Sequence, residues 1–207
     1  MGIATILSVF TILGINGTVF NWVHDLTGHV ALADDAMKFS AQYLIFVLAA
    51  AVAGTWFLRY GPPERRRAAV YTAVGAAGIG LIVGLVIQHF YYHPRPFFFN
   101  DHGTIRYRFT PLVHHSADTS FPSDHATASF GMATGVLLYR ARVGLAALAV
   151  AVIISFSRVY VGVHYPADVV AGAAIGALSA FALRLIHPVI AWLDDQIVVR
   201  LVPEFLR

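Results

Sequence analysis

Apolar residues gather into long runs, and the polar residues are crowded into the connections between them. A helix needs about 20 apolar residues to cross the hydrocarbon core. On that measure five spanning helices are expected, at 39–58, 68–90, 127–138 with its preceding turn, 143–156 and 167–185. Gly75, Gly78, Gly80 and Gly84, then Gly172 and Gly176, recur at the spacing that lets helices pack closely in lipid. The first apolar stretch, 3–15, is short and is interrupted by Gly14, Asn16, Gly17 and Asn21. It reads as an interfacial or re-entrant helix, with a sixth span as the alternative. It has neither the positive flank nor the small-residue cleavage site of a signal peptide. The segment 190–206, carrying Asp194, Asp195 and Arg200, reads as an amphipathic helix on the cytoplasmic face. The expected fold is therefore all-α, a polytopic membrane helix bundle forming a single domain over 1–207.

Composition agrees. With 58% hydrophobic and 12% charged residues and a mean hydropathy of +0.69, a soluble globule of 207 residues would expose far too much apolar surface. The net charge of +3 comes almost wholly from arginine, because Lys38 is the only lysine. Arginines near lipid serve as topology signals or phosphate ligands, and nothing favours nucleic acid as a partner. The absence of cysteine excludes disulfides, thiolate metal sites and cysteine nucleophiles. Arg59 and Arg65 to Arg67, then Arg140 and Arg142, then Arg184, Arg200 and Arg207 fall on one side of successive spans, which marks that side as cytoplasmic. The 91–121 connection, Arg158 and Asp168 then share the opposite face.

That face collects the candidate chemistry. Pro122-Ser123-Asp124-His125 opens a helix, with Ser123 or Asp124 able to cap it and the free N–H groups able to hold phosphoryl oxygens. A capping motif alone has no need of the imidazole of His125. His164 precedes Pro166, which should start the last helix and so bring Asp168 into its first turn, within reach of the imidazole. Such a pair holds one ring nitrogen protonated and leaves the other as nucleophile or base. Arg95 and Arg158 are the expected charge clamps, since phosphoryl transfer mainly demands stabilisation of charge on the equatorial oxygens. Phe97, Phe98 and Phe99, with Tyr91 and Tyr92, read as an interfacial aromatic belt. His114, His115 and Asp118 read equally well as exposed loop polarity or as contacts to a second phosphate.

Arg95-Pro96, Pro122-Ser123 with His125, and Ser157-Arg158 with His164 and Asp168 match in order and spacing the three-part signature Lys-x6-Arg-Pro, Pro-Ser-Gly-His and Ser-Arg-x5-His-x3-Asp. The chain thus resembles the type 2 phosphatidic acid phosphatase superfamily. Gln88 stands at the lysine position and Asp124 at the glycine position. Phe121 to His125, preceded by His115 to Asp118, is similar to the bacitracin-resistance branch, the undecaprenyl-diphosphate phosphatases. The resemblance implies that His164 attacks phosphorus to form a phosphohistidine and that Asp168 orients it. It further implies that Arg95, Ser123 and Arg158 hold the oxygens, with Gln88 and Asp124 joining the phosphate-binding set, and that His125 protonates the leaving oxygen. No metal or other cofactor is expected. The implied substrate is undecaprenyl diphosphate, recycled to the monophosphate on the outer face of a bacterial plasma membrane. The alternatives are phosphatidylglycerophosphate, phosphatidate or another lipid phosphate, or a lipid-phosphate binder or transporter without turnover. Oligomeric state is not readable from the residues.

Overall fold

The computed structural model describes residues 15–57, 62–101 and 104–186. Among them seven helices follow in order: α1 Ile15–His24, α2 Ala31–Gln42, α3 Leu44–Gly54, α4 Pro63–Phe90, α5 Asp124–Leu137, α6 Ala141–Tyr160 and α7 Pro166–Leu185. The expected helices at 3–15 and 190–206 lie outside the described residues. The connection between α4 and α5 departs from the all-α expectation by forming a short antiparallel hairpin, β1 Phe98–Asp101 with β2 Thr104–Tyr107, Phe98 opposite Tyr107 and Asp101 opposite Thr104. Aromatic and β-branched residues within both strand segments suit that geometry.

Three described helices, α4, α6 and α7, are long and apolar enough to cross a membrane, and α2 with α3, bent by 55°, can supply a fourth. The run expected as a span at 127–138 is of another kind. Its helix α5 has 14 residues, about 21 Å at the usual rise and short of the roughly 30 Å core. It needs no lipid-facing length, because α4, α6 and α7 enclose it, and every residue from Ala126 to Val136 except Phe130 is buried. The run at 39–58 also differs, since its helix begins at Ala31 and breaks at Tyr43.

Small residues make that enclosure possible. A side chain added at Gly135 would fall 2.5 Å from the Ala73 backbone of α4, and one at Gly172 would fall 2.5 Å from the Ser123 carbonyl. Gly176 and Gly80 close on Thr127 in the same way, whereas Gly78 faces open space and takes no part in packing. The outer faces carry the large apolar side chains, such as Ile82, Leu145 and Leu178. Such surfaces are stable in lipid and not in water.

Around the mouth of the bundle, α1 and α2 lie against α6. Tyr160 Oη donates to Asp34 Oδ1 (2.8 Å), and His24 Nδ1 lies 2.9 Å from the Tyr160 carbonyl. Phe20 and Val23 share a core with Phe97, Phe98, Val159, Val161 and Val163. Phe97 and Phe98 are each only 1% exposed, so they do not belong to an interfacial belt. Burying two phenyl rings under the loop between α6 and α7 anchors the Arg95 segment to the end of the bundle.

Candidate active site

Four chain segments meet at one end of the bundle: the end of α4 at Gln88, the start of α5 at Ser123, the end of α6 at Arg158 and the start of α7 at Asp168. The 91–121 connection covers them and contributes Arg95. Ser123, Arg95, Arg158, His164 and Asp168 are all buried.

Asp168 is the third residue of α7, and its Oδ2 accepts the Tyr165 backbone N–H at 2.8 Å in a capping box. The same oxygen lies 3.6 Å from His164 Nδ1. The Asp168 carbonyl accepts the Ser123 N–H at 3.0 Å, which couples the starts of α5 and α7. On the other side of the ring, His164 Nε2 lies 3.1 Å from Arg95 Nη1, which also donates to the Val163 carbonyl at 3.0 Å. The imidazole therefore stands between a carboxylate and a guanidinium. Donation from Arg95 takes the Nε2 lone pair and so leaves the proton on Nδ1, which faces Asp168 at 3.6 Å without a hydrogen bond. Burial first, and then the charges of Arg158 and Arg95 against the opposing pull of Asp168, lower the His164 pKa to about 4. The ring is neutral at physiological pH.

Arg95 is held from behind by Asp118, whose Oδ1 accepts from Nε at 2.6 Å while Ser116 Oγ donates to Oδ2 at 2.6 Å. Burial pushes the Asp118 carboxyl up, but these two donors outweigh it and hold it below its ordinary value. Arg158 is fixed by a contact that sequence reasoning did not foresee, the donation of Nη1 to the Ala41 carbonyl at 2.9 Å. The break between α2 and α3 frees that carbonyl from helical bonding and offers a negative helix end to the guanidinium. Arg158 Nε and Ser123 Oγ are buried polar atoms with no hydrogen-bond partner among the described residues. Ser123 occupies the N-cap position of α5, yet its side chain makes no capping bond. The hydroxyl expected to be available for capping is free to donate into the pocket instead. Orphaned donors beside two arginines and a helix N-terminus suit an oxyanion.

His125 follows Asp124 in the first turn of α5, where burial first and then the charges of Arg158, His164, His115 and Arg95 lower its pKa to about 3. Gln88 Nε2 donates to Asp124 Oδ1 at 2.9 Å and to the Pro122 carbonyl at 3.3 Å. The amide nitrogen of Gln88 is thus committed to fastening α4 to the start of α5. A carboxylate offers only acceptors, so Asp124 meets Gln88 rather than presenting a donor to phosphate.

Two histidines enter the site more closely than the sequence suggested. His93 Nδ1 lies 2.8 Å from Ser120 Oγ and 3.5 Å from Asp168 Oδ1, which makes it a second imidazole on the same carboxylate. The ring of His115 sits edge-on to His164 at 6.4 Å, and burial followed by Arg95 and Arg158 lowers its pKa to about 4. The sequence offers His115 as a contact to a second phosphate and His93 as a candidate replacement for the charge missing at Gln88, but not the contact of His93 with Asp168.

The model of the PAP2 superfamily matches residues 68–192, a stretch that contains every residue of this cluster. The chain belongs to the PAP2 superfamily. This PAP2 chain is 30% identical to undecaprenyl-diphosphatase BcrC of Bacillus subtilis over 167 residues, 80% of this chain and 81% of that protein. It is also 30% identical to the bacitracin transport permease protein BcrC of Bacillus licheniformis, over 92% of each. Among solved structures, LpxE of Aquifex aeolicus superposes with a TM-score of 0.63 at 22% identity, covering 81% of this chain and 93% of that one, a likeness of fold. The PAP2 relatives are undecaprenyl-diphosphatases and lipid phosphatases, and the apolar helices make this chain a multi-pass membrane protein of the same family.

Proposed function

We propose that this protein hydrolyses undecaprenyl diphosphate, or a closely similar polyprenyl diphosphate, to the monophosphate and inorganic phosphate, with the pocket open to the extracytoplasmic side. The observation that carries the reading is the His164 imidazole set between Asp168 at 3.6 Å and Arg95 at 3.1 Å, beside the buried donors Ser123 Oγ and Arg158 Nε. A binding protein needs the donors but not a carboxylate-oriented, unprotonated imidazole.

The terminal phosphoryl group takes its oxygens to Arg95, Arg158, Ser123 and the N–H groups at the start of α5. Arg95 Nη1 turns from His164 Nε2 to a phosphoryl oxygen, which exposes the lone pair. Nε2 attacks phosphorus, the bridging P–O bond breaks, and His125, neutral in the resting pocket and protonated from solvent once the anionic substrate is bound, gives that proton to the departing lipid monophosphate. Asp168 stabilises the positive charge on the phosphorylated ring. Water, deprotonated by His125, then attacks the phosphohistidine, the P–N bond breaks and inorganic phosphate leaves. Two guanidinium groups neutralise the developing charge, so no metal ion takes part.

Sidedness rests on arginine. The described members of the basic set, Arg65 to Arg67, Arg140, Arg142 and Arg184, lie at the helix ends remote from His164, which supports a cytoplasmic placement of that end.

Phosphate release by purified protein in detergent tests the proposal with three substrates: a polyprenyl diphosphate, phosphatidylglycerophosphate and phosphatidate. The diphosphate should be preferred, activity should survive EDTA, and His164→Ala should abolish it. Preference for a glycerolipid monoester would overturn the carrier-recycling assignment, and dependence on a divalent ion would overturn the metal-free mechanism.

A further inference from the structure

At the end of the bundle opposite His164 a cavity of about 320 Å³ opens between the starts of α4 and α6. Arg65, Arg66, Arg140 and Arg142 line it together with Tyr139 and the first turn of α6. Arg65 and Arg142 form an exposed rim, Arg140 is half-buried, and Arg66 is 7% exposed. Among the described residues no carboxylate lines the cavity; Glu64, the acid in the first turn of α4, is exposed and lies outside the lining. Tyr139 is held in place by Arg184, whose guanidinium lies 5.0 Å from the ring centre, and by Thr72 Oγ1, which donates to its hydroxyl at 3.4 Å.

The backbone adds to the charge. Ala141, Arg142 and Val143 are the first three residues of the 20-residue α6, and their N–H groups have no intrahelical acceptor. Arg140 at the N-cap makes no side-chain capping bond. Four guanidinium groups and an uncapped helix start thus converge on one concavity, and the anion that matches planar forks and N–H groups together is a phosphate. Arginines that served only to set topology would need no shared cavity.

We propose that this cavity binds a phosphate group, and that the phosphate is the headgroup of an anionic phospholipid in the leaflet away from the His164 pocket. The apolar surface beside it favours a lipid over a free anion. Val74 on α4 and Leu145 on α6 are 59% and 60% exposed, and they continue from the arginine rim along the membrane-crossing faces, where acyl chains would lie. The site is separate from the reaction centre and does not depend on the substrate assigned above.

The test measures thermal unfolding of the full chain in neutral detergent, titrated with phosphatidylglycerol, phosphatidylcholine or inorganic phosphate. Phosphatidylglycerol carries only a phosphodiester, so it occupies this cavity without serving as a phosphatase substrate. It should raise the unfolding midpoint, and phosphatidylcholine should not. Arg65→Gln combined with Arg142→Gln changes only exposed rim residues, so the variant should fold and hydrolyse substrate as the parent does. Its apparent affinity for phosphatidylglycerol should fall about thirtyfold at low salt and less as salt rises. An equal rise with inorganic phosphate, lost in the variant, would support the anion site and overturn the lipid as its occupant. Equal stabilisation of parent and variant by phosphatidylglycerol, or stabilisation of neither, would overturn the site.

Discussion

Ser123→Ala separates the two uses a buried hydroxyl can have. Ser123 is completely buried, its Oγ has no partner among the described residues, and it caps no helix N–H. In the resting protein the hydroxyl is a desolvated group without compensation, a condition that costs about 1–3 kcal/mol. Replacing it with a methyl removes that cost and no hydrogen bond, so the unfolding midpoint should stay level or rise. The reaction should respond in the opposite sense. If Oγ donates to a charged phosphoryl oxygen in the transition state, its loss forfeits about 1.5–3 kcal/mol, which lowers kcat/KM roughly 10- to 150-fold. Both quantities come from one preparation, by thermal unfolding in detergent and by phosphate release from a polyprenyl diphosphate. A clearly lowered midpoint with kcat/KM unchanged would refute the reasoning, because it would mean that the hydroxyl holds the fold and not the phosphate.

Arg158→Lys keeps the charge but cannot both donate to the Ala41 carbonyl and present a fork to phosphate, so kcat/KM should fall about a hundredfold or more; equality with the parent would mean that charge alone suffices. The acid limb of activity should follow His164, whose pKa is about 4, and its position should move up in Arg95→Gln, which removes a charge that lowers the pKa, and down in Asp168→Asn, which removes one that raises it. Because His164 and His115 are both lowered from 6.5 to about 4, the unfolded chain takes up protons first on acidification. Stability should therefore decline as pH falls through that window, as pH-dependent unfolding can check. His93→Phe keeps a ring against Tyr91 and Tyr165 but loses the contact to the Asp168 carboxylate; kcat should fall about tenfold with KM little changed, and His93→Gln should recover part of it.

Apolar runs and the spacing of Arg95, His125, Arg158, His164 and Asp168 were enough to read a helical membrane protein and the family of its site, because both depend on local signals. Span length is read within one apolar run, and the turn from His164 through Pro166 to Asp168 within a single short stretch of chain. The status of α5 was not legible. A helix of small residues surrounded by other helices and a helix facing lipid are equally apolar, and only packing against α4, α6 and α7 distinguishes them. The bend at Tyr43 was hidden for the same reason, and with it the Ala41 carbonyl that anchors Arg158 across 117 positions of chain. Phe97 and Phe98 read as an interfacial belt until the end of α6 and the loop after it covered them. Contacts between His93 and Asp168, or between Asp118 and Arg95, join segments whose approach is decided by how the 91–121 connection folds over the helix ends. Sequence specifies which groups can donate, accept or carry charge, but the distances that turn them into one pocket arise only when remote segments are packed together.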